Sequence, residues 1–391
     1  MNRRSYKFRI YPTKTQEEIL RKTIGSCRFI YNHALATKSE AYKTDKTKIS
    51  YVQMSAAMTQ MRKNAETKWL NEISHVALQQ SLRNLESAYA NFFKNRSRYP
   101  KFKRKSKGGS ARFVGTGFSL KNNCFKVNRI KTPINVIWSR ELPSKPSSCT
   151  ISLNPSGQWF ASFVCEEEIE KLPKTDEKIG IDLGVETFAT LSDGTKIKQP
   201  DSIRRSRRKL ARSHRSLSRK KKGSNNLNKA RVQLARNYQK VANIRNDFQQ
   251  KLSTKIVHEN QVIVIEDLSV KNMMQKGNRK LARLIGEQGW YSFHRMLEYK
   301  AKWYGRELVV IDRFAPTSQL CNSCGKTNKL SLDKRKFTCE CGVTYDRDVN
   351  AAKNILAAGM AVSACGANVR PAQVGSRLRS RKSKAQSSKS L

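Results

Sequence analysis

Three short apolar runs constrain this chain most: Ile179-Gly180-Ile181, Val262 to Ile265 and Leu308 to Ile311. Apolar runs this short read as strands buried on both faces, and a stretch of helical periodicity between the last two points to α/β layering. Two of these strands carry a carboxylate: Asp182 interrupts IGIDLGV, and Glu266 closes VIVIE. An unpaired carboxylate in apolar surroundings costs on the order of several kcal/mol or takes up a proton, so each needs a cation or a partner. Taken singly, a buried Asp capping a nearby loop is the more ordinary arrangement. Glu266 stands at the carboxyl end of its strand, where open α/β sheets place ligand sites.

A third acid, Asp348, lies in YDRDVNAAKNIL, ahead of a helix bearing Ala351, Ala352, Ile355 and Leu356, residues suited to packing on a sheet. Its plain role would be a helix cap, and Asp346 nearby competes for the same assignment. Together, a strand bearing Asp, a later strand ending in Glu and a final helix starting with Asp can converge on one sheet edge. Such a set suits two Mg²⁺ ions (or Mn²⁺) about 3.5–4 Å apart, one activating water and one stabilising a leaving oxygen. Hard carboxylate oxygens select these ions over zinc.

The cysteines tell a different story. Cys321-x-x-Cys324 and Cys339-x-Cys341, with Gly325 and Gly342 permitting tight turns, match a tetrahedral Cys₄ zinc ribbon. All four ligands are sulfur and none is left open for water, so this zinc is structural. Cys27, Cys124, Cys149, Cys165 and Cys365 are scattered and read as structural thiols in a reduced compartment.

Charge identifies the partners. The 391 residues hold 78 Lys+Arg against 30 Asp+Glu, a formal charge of +48. A field of this size calls for polyanions, in a nucleic-acid enzyme or in a ribosomal or histone-like scaffold. Between Arg204 and Lys222, eleven of nineteen residues are basic and none is acidic. A helix there is basic around most of its circumference and needs a polyanion beside it, with Arg204, Arg205, Arg207, Arg208, Arg212 and Arg215 as candidate phosphate contacts. A second candidate is RYPKFKRK, where Tyr99 and Phe102 alternate with Lys101, Lys103 and Arg104, a pattern for stacking bases and holding phosphates that also suits a solvated linker. The start, MNRRSYKFRIYP, has no apolar h-region and no run spans a bilayer, so a cytosolic or nucleoid-associated protein is expected.

The first residues alternate Tyr6, Phe8 and Ile10 against Lys7 and Arg9, a strand ending at Pro12. Thr15 and Glu18 have capping-box spacing for the helix that follows, with a stripe of Leu20, Ile24, Cys27 and Tyr31. A second stripe, Leu78, Leu82, Leu85, Tyr89 and Phe92, completes a helical bundle expected over 14–109. From 110 to 172 short β-rich runs and the Asn154-Pro155-Ser156-Gly157 turn suggest a β-barrel. The N-terminal strand, partnerless among helices, is expected to join it. Residues 173–370 form the α/β region, in which Ser192-Asp193-Gly194 turns a returning strand. There Leu234, Tyr238, Val241, Phe248 and Leu252 make one helical stripe, and Phe293, Leu297, Ala301 and Tyr304 another. The basic tail 371–391 lacks the apolar residues to fold.

GIDLGVETFATLSDG, VIVIEDLSVKNM, CNSCG with CECG, and DRDVNAAKNIL resemble the TnpB family, transposon-encoded RNA-guided nucleases related to type V CRISPR effectors. The likeness covers most of the chain and is most specific over 178–370. It implies a wedge-like β-barrel (1–13 and 110–172) with an inserted helical recognition domain (14–109), then an RNase H-like RuvC domain (173–370) with the zinc ribbon inserted at about 318–344. It implies that Asp182, Glu266 and Asp348 are the catalytic acids. The implied partners are a guide RNA from the transposon end, one protein per RNA, and double-stranded DNA carrying a short motif beside the target. Two other classes compete. A DDE-type transposase usually has Glu on the last helix, which Asp348 opposes, and a non-catalytic RNA-guided repressor would explain charge and zinc but leave the three acids without a purpose.

Overall fold

The computed structural model describes residues 2–105, 108–276, 278–328 and 335–364. The expected tail at 371–391 and Cys365 lie outside them. The chain divides into two compact units, Met1–Glu167 and Glu168–Ala372, apart from the tail.

The first unit opens with β1 (Asn2–Tyr11) and three helices, α1 (Lys14–Asp45), α2 (Tyr51–Lys63) and α3 (His75–Phe93), with a 3-10 helix at Ala65–Glu72 before the last. Six strands follow: β2 (Gly109–Val114), β3 (Phe118–Lys121), β4 (Cys124–Val127), β5 (Asn135–Ile137), β6 (Ser148–Leu153) and β7 (Trp159–Glu167). The period-2 pattern of β1 decides its place: Tyr6, Phe8 and Ile10 are buried, and the strand pairs antiparallel with β7 from Asn2↔Glu167 to Ile10↔Trp159. The sheet order is β2-β6-β7-β1-β5, so the helices fall between two segments of one sheet. Its order is open, with β2 and β5 as its edges, and the β3–β4 hairpin makes a single bridge, Phe125↔Ile134, to the residue before β5 rather than a ladder.

Helix α1 starts one residue earlier than its expected cap, because Thr13 and Gln16 form the capping box and Thr15 lies inside the helix. Its predicted stripe Leu20, Ile24, Cys27 and Tyr31 is buried, as are Leu78, Leu82 and Leu85 of α3.

The second unit contains β8 (Lys178–Asp182), β9 (Ala189–Leu191), β10 (Lys196–Ile197), α4 (Asp201–Ser218), α5 (Asn225–Glu259), β11 (Val262–Glu266) and α6 (Val270–Lys276). It continues through α7 (Arg279–Gln288), α8 (Trp290–Tyr304), β12 (Glu307–Ile311), β13 (Lys336–Thr338), β14 (Thr344–Asp346) and α9 (Arg347–Ala364). Its main sheet runs β10-β9-β8-β11-β12; β8, β11 and β12 are parallel, whereas β9 and β10 turn back antiparallel. The segment after β8 therefore reverses twice. The loop after Asp182 closes with the Gly184 N–H on the Phe188 carbonyl, and the Ser192–Gly194 turn joins β9 to β10.

Alternation along β8 and β11 builds the layers. Ile179, Ile181, Ile263 and Ile265 pack with Leu252, Ile256 and Val257 of α5 and Phe293 and Leu297 of α8. Val262 and Val264 face the opposite side with Ile355 of α9. Helix α9 lies against the strands without side-chain padding: a Cβ on Gly180 would stand 2.3 Å from the Ala352 carbonyl oxygen, and one on Gly359 2.3 Å from Val264. In α5, Leu234 and Leu252 are buried as predicted, but Tyr238 is half exposed and turns its hydroxyl to His214 Nε2 of the basic helix α4, 2.6 Å away.

Candidate active site and metal centre

Strand parity delivers the first two acids. Ile181 of β8 pairs in parallel register with Ile265 of β11, so the next residues, Asp182 and Glu266, end neighbouring strands. Neighbouring strands run about 4.8 Å apart. Since Gly180 and Val264 face α9, the acids two residues on share that face. Asp348 stands in the first turn of α9, one turn ahead of Ala352, whose carbonyl rests on Gly180. The close approach at Gly180 therefore brings the start of α9 toward the carboxyl ends of β8 and β11.

Electrostatics agrees with this convergence. Burial, then the charges of Glu266 and Asp348, push the Asp182 carboxyl up to about 7, against the pull of Arg347. Burial raises Glu266 as well, and the Thr317 hydroxyl, which donates to its Oε1 at 2.6 Å, opposes that rise. The Asp182 carboxyl thus lies within the field of the other two acids, and a nearby cation would ease that repulsion.

Asp346 and Asp348 divide the two roles their proximity left open. Asp346 Oδ1 accepts from the backbone N–H groups of Asp348 and Val349 at 3.1 and 3.3 Å, and its Oδ2 takes the Lys196 ammonium at 2.6 Å. Despite partial burial, those partners hold it below the usual carboxylate range. Asp346 is thus the helix cap, which leaves the Asp348 carboxylate out of the capping role.

The ribbon stands immediately before this helix. The sulfurs of Cys321, Cys324, Cys339 and Cys341 all lie within 4.8 Å of one another, with Cys321–Cys341 at 3.8 Å and Cys324–Cys339 at 3.5 Å. Four sulfurs at about 2.3 Å from a tetrahedral zinc would stand about 3.8 Å apart, so the cluster is compatible with that ion. The Cys341 N–H, aimed at the Cys339 sulfur, is the largest influence drawing that thiol down to about 6. The other cysteines expected to be structural divide: Cys27, Cys149 and Cys165 are buried, but Cys124 is exposed.

Sequence reasoning missed what joins ribbon and acids. Asn350 and Asn354, both buried on α9, donate to the Leu320 carbonyl at 2.7 Å, and Asn354 also to the Thr317 carbonyl at 2.8 Å. In return Asn350 Oδ1 accepts from the Asn322 N–H beside Cys321. The loop from Thr317 to Asn322 is thereby clamped to α9 while Thr317 holds Glu266. The available signal was a pair of amides four residues apart on a face otherwise made of Ala, Ile and Leu.

The candidate nucleic-acid contacts are less uniform than their sequence. Arg204, Arg205, Arg208, Arg212 and Arg215 are exposed on α4, whereas Arg207 is half-buried in an ion pair with Glu287 at 2.5 Å. Tyr99 is bonded to Ser39 and Tyr89 through its hydroxyl, and the Lys103 ammonium lies 4.0 Å above the Tyr31 ring. Both dock their segment onto the first unit's helices, with Lys101 and Arg104 exposed. Among the described residues no helix is long and apolar enough to cross a membrane.

A mixed sheet flanked by helices, with Asp182 and Glu266 at the carboxyl ends of its neighbouring inner strands and a cysteine ribbon ahead of its last helix, defines a mixed α/β fold. The Cas12f1 chain in a cryo-EM complex with sgRNA and target DNA shares that fold, with a TM-score of 0.56 and 16% identity over 88% of this chain and 83% of that one. Residues 162–277 match a family described as "Probable transposase", residues 290–355 the Cas12f1-like TNB domain, and residues 1–47 a helix-turn-helix domain. Within the last match this chain forms one strand and one uninterrupted helix. A Streptomyces pristinaespiralis protein named as an RNA-guided DNA endonuclease is 46% identical over 96% of this chain and 94% of its own length. InsQ of Escherichia coli K12, named likewise, is 36% identical over 93% of this chain and 94% of its own. The chain belongs to the TnpB family, the OrfB proteins of IS605-type elements.

Proposed function

We propose that this chain is an RNA-guided DNA endonuclease of a bacterial insertion sequence, hydrolysing DNA phosphodiesters at the centre formed by Asp182, Glu266 and Asp348. The observation that carries this reading is the register of β8 and β11, which sets two carboxylates side by side on the face that α9 covers. In the full reading the first unit supplies the wedge and recognition functions, and the basic face of α4 tracks phosphates. A guide RNA from the transposon end supplies sequence at a target beside a short DNA motif, with one protein per RNA, in the bacterial cytoplasm.

The three carboxylates would hold two Mg²⁺ ions, or Mn²⁺, and the four cysteines one structural Zn²⁺. Bound magnesium supplies the positive charge that lowers the pKa of an attacking water and stabilises the leaving oxygen. The protein's own part is positioning. Thr317 orients Glu266, Asp346 caps α9 so that the Asp348 carboxylate can take a ligand position, and the Asn350–Asn354 clamp carries the order of the ribbon to both.

The test is co-expression with flanking genomic DNA, sequencing of the bound RNA, and cleavage of a matching plasmid in Mg²⁺. RNA-dependent cutting that Asp182→Ala abolishes is the expected result. Tight RNA binding without cutting by the unaltered protein would overturn the nuclease reading in favour of a guided repressor.

A further inference from the structure

The loop after β12 presents an aromatic ring to solvent at the same carboxyl-terminal end of the parallel strands as Asp182 and Glu266. Phe314 is 84% exposed, the most exposed large hydrophobic side chain among the described residues. It follows Ile311, which pairs in register with Glu266, and three residues of chain span at most about 10 Å. Among the described residues no other ring and no cation stacks on it.

Exposure of this kind usually means a loose loop, but this loop is pinned on both sides of the ring. Asp312 Oδ1 accepts from the Phe314 N–H at 2.8 Å, and the Asp312 carbonyl from the Ala315 N–H at 3.2 Å. Arg313 is ion-paired with Asp267, the residue after Glu266. Thr317, three residues further, donates both to the Ala315 carbonyl and to Glu266 itself. The fold thus fixes a backbone that holds an apolar ring in water, in a loop bonded to Glu266 and Asp267, and forgoes the stabilisation that burying the ring would give.

We propose that Phe314 is a stacking platform for a base of the DNA strand being cut, within a nucleotide or two of the scissile phosphate. This rests on the nuclease reading above. A flat ring accepts any unpaired base on its face, which suits a site that must cut whatever sequence the guide selects. Duplex DNA buries its base faces, so the platform engages a strand only after it has been unpaired. Its role is substrate positioning: it fixes the strand's register against Asp182, Glu266 and Asp348.

The experiment uses the protein with its co-purified guide RNA and a matched target, comparing Phe314→Ala, Phe314→Leu and Phe314→Trp. A base stack of the usual strength predicts a single-turnover rate about ten- to a hundredfold lower for the Ala variant. The Leu variant should be similarly slow because it keeps bulk but loses the flat face, and the Trp variant should stay close to the unaltered protein. A second readout places 2-aminopurine near the cut site and follows its fluorescence in an Asp182→Ala background, where no cutting is needed. Quenching that Phe314→Ala removes and Phe314→Trp keeps supports stacking. Equal rates and equal quenching in all variants would overturn the proposal, as would a Trp variant as slow as the Ala variant. Absence of cutting by the unaltered protein would count against the nuclease reading alone, since the fluorescence still reports on Phe314.

Discussion

The carboxylate centre and the cysteine ribbon both gather groups that repel one another once ionised, yet they are held in opposite ways. Asp182 and Glu266 end strands whose apolar residues lie in cores shared with α5, α8 and α9, so the frame around them exists whether or not a cation is bound. The ribbon's own apolar cluster among the described residues is Cys321, Phe337 and Cys339 alone. A cluster that small cannot offset the conformational entropy of its loops. The frame of the acids therefore rests on cores of its own, whereas the ribbon has little apolar core of its own to hold its four cysteines together.

The sharpest way to break this contrast is to delete ligands from each centre and read stability against activity. Asp182→Ala, Glu266→Ala and Asp348→Ala should each lower cleavage at least about a thousandfold while guide RNA remains bound. Their melting temperatures should hold or rise, since each change relieves repulsion between buried acids. A variant of the three that melts many degrees lower would show its carboxylate to be structural. Cys339→Ser should do the reverse, losing zinc in elemental analysis and raising hydrogen exchange around 318–346 while the sheet core stays protected. Cleavage should fall at least about tenfold, because β14 leads straight into the Asp346 cap and Asp348. Unchanged exchange in the zinc-free variant would mean that the hairpin folds by itself.

A smaller effect separates the centres by proton. The folded pKa of Asp182 is raised to about 7, so between about pH 4 and 7 the folded state keeps a proton that the unfolded chain has lost. Stability of the magnesium-free protein should thus fall as pH rises through that window, by about 5 °C in melting temperature, and level off above it. Asp182→Asn should flatten the slope. Added Mg²⁺ should stabilise more at pH 8 than at pH 5.5, because at the lower pH it competes with the proton. A melting curve that ignores both pH and Mg²⁺ would sink the idea that these acids share one site.

Which parts of this were legible in the sequence follows from how local each signal is. The acids stood out because a carboxylate at the end of an apolar strand is chemically out of place, and the cysteines because their ligands lie within one short segment. The alternation of β1 and the stripes of α1, α3 and α8 were readable for the same reason. The α1 cap was misplaced because Thr13-x-x-Gln16 and Thr15-x-x-Glu18 overlap, and only the backbone turn after Pro12 selects the first. The bond of Tyr238 to His214 depends on α4 folding back along α5, which periodicity within α5 cannot reveal. The division between Asp346 and Asp348 and the bonds of Thr317, Asn350 and Asn354 link residues whose partners are set by tertiary contact.

Thr317 supplies the finest test, because it touches one centre and is clamped by the other. Thr317→Val keeps the side chain's shape and deletes only the hydroxyl that donates to Glu266. That bond favours the ionised carboxylate, so its loss should raise the already elevated Glu266 pKa further. The acid limb of the cleavage–pH profile should then move to higher pH, with the plateau rate reduced only about three- to tenfold and melting changed by at most a few degrees. Asn354→Leu should give the same profile shift together with faster exchange in the loop from Thr317 to Asn322, since it removes the clamp rather than the bond. If Thr317→Val slows cleavage equally at every pH, the hydroxyl serves loop geometry and Glu266 is oriented by the sheet alone. A shift in the Asn354 variant without one in the Thr317 variant would mean that the ribbon reaches the acids through Asp348 and the start of α9 instead.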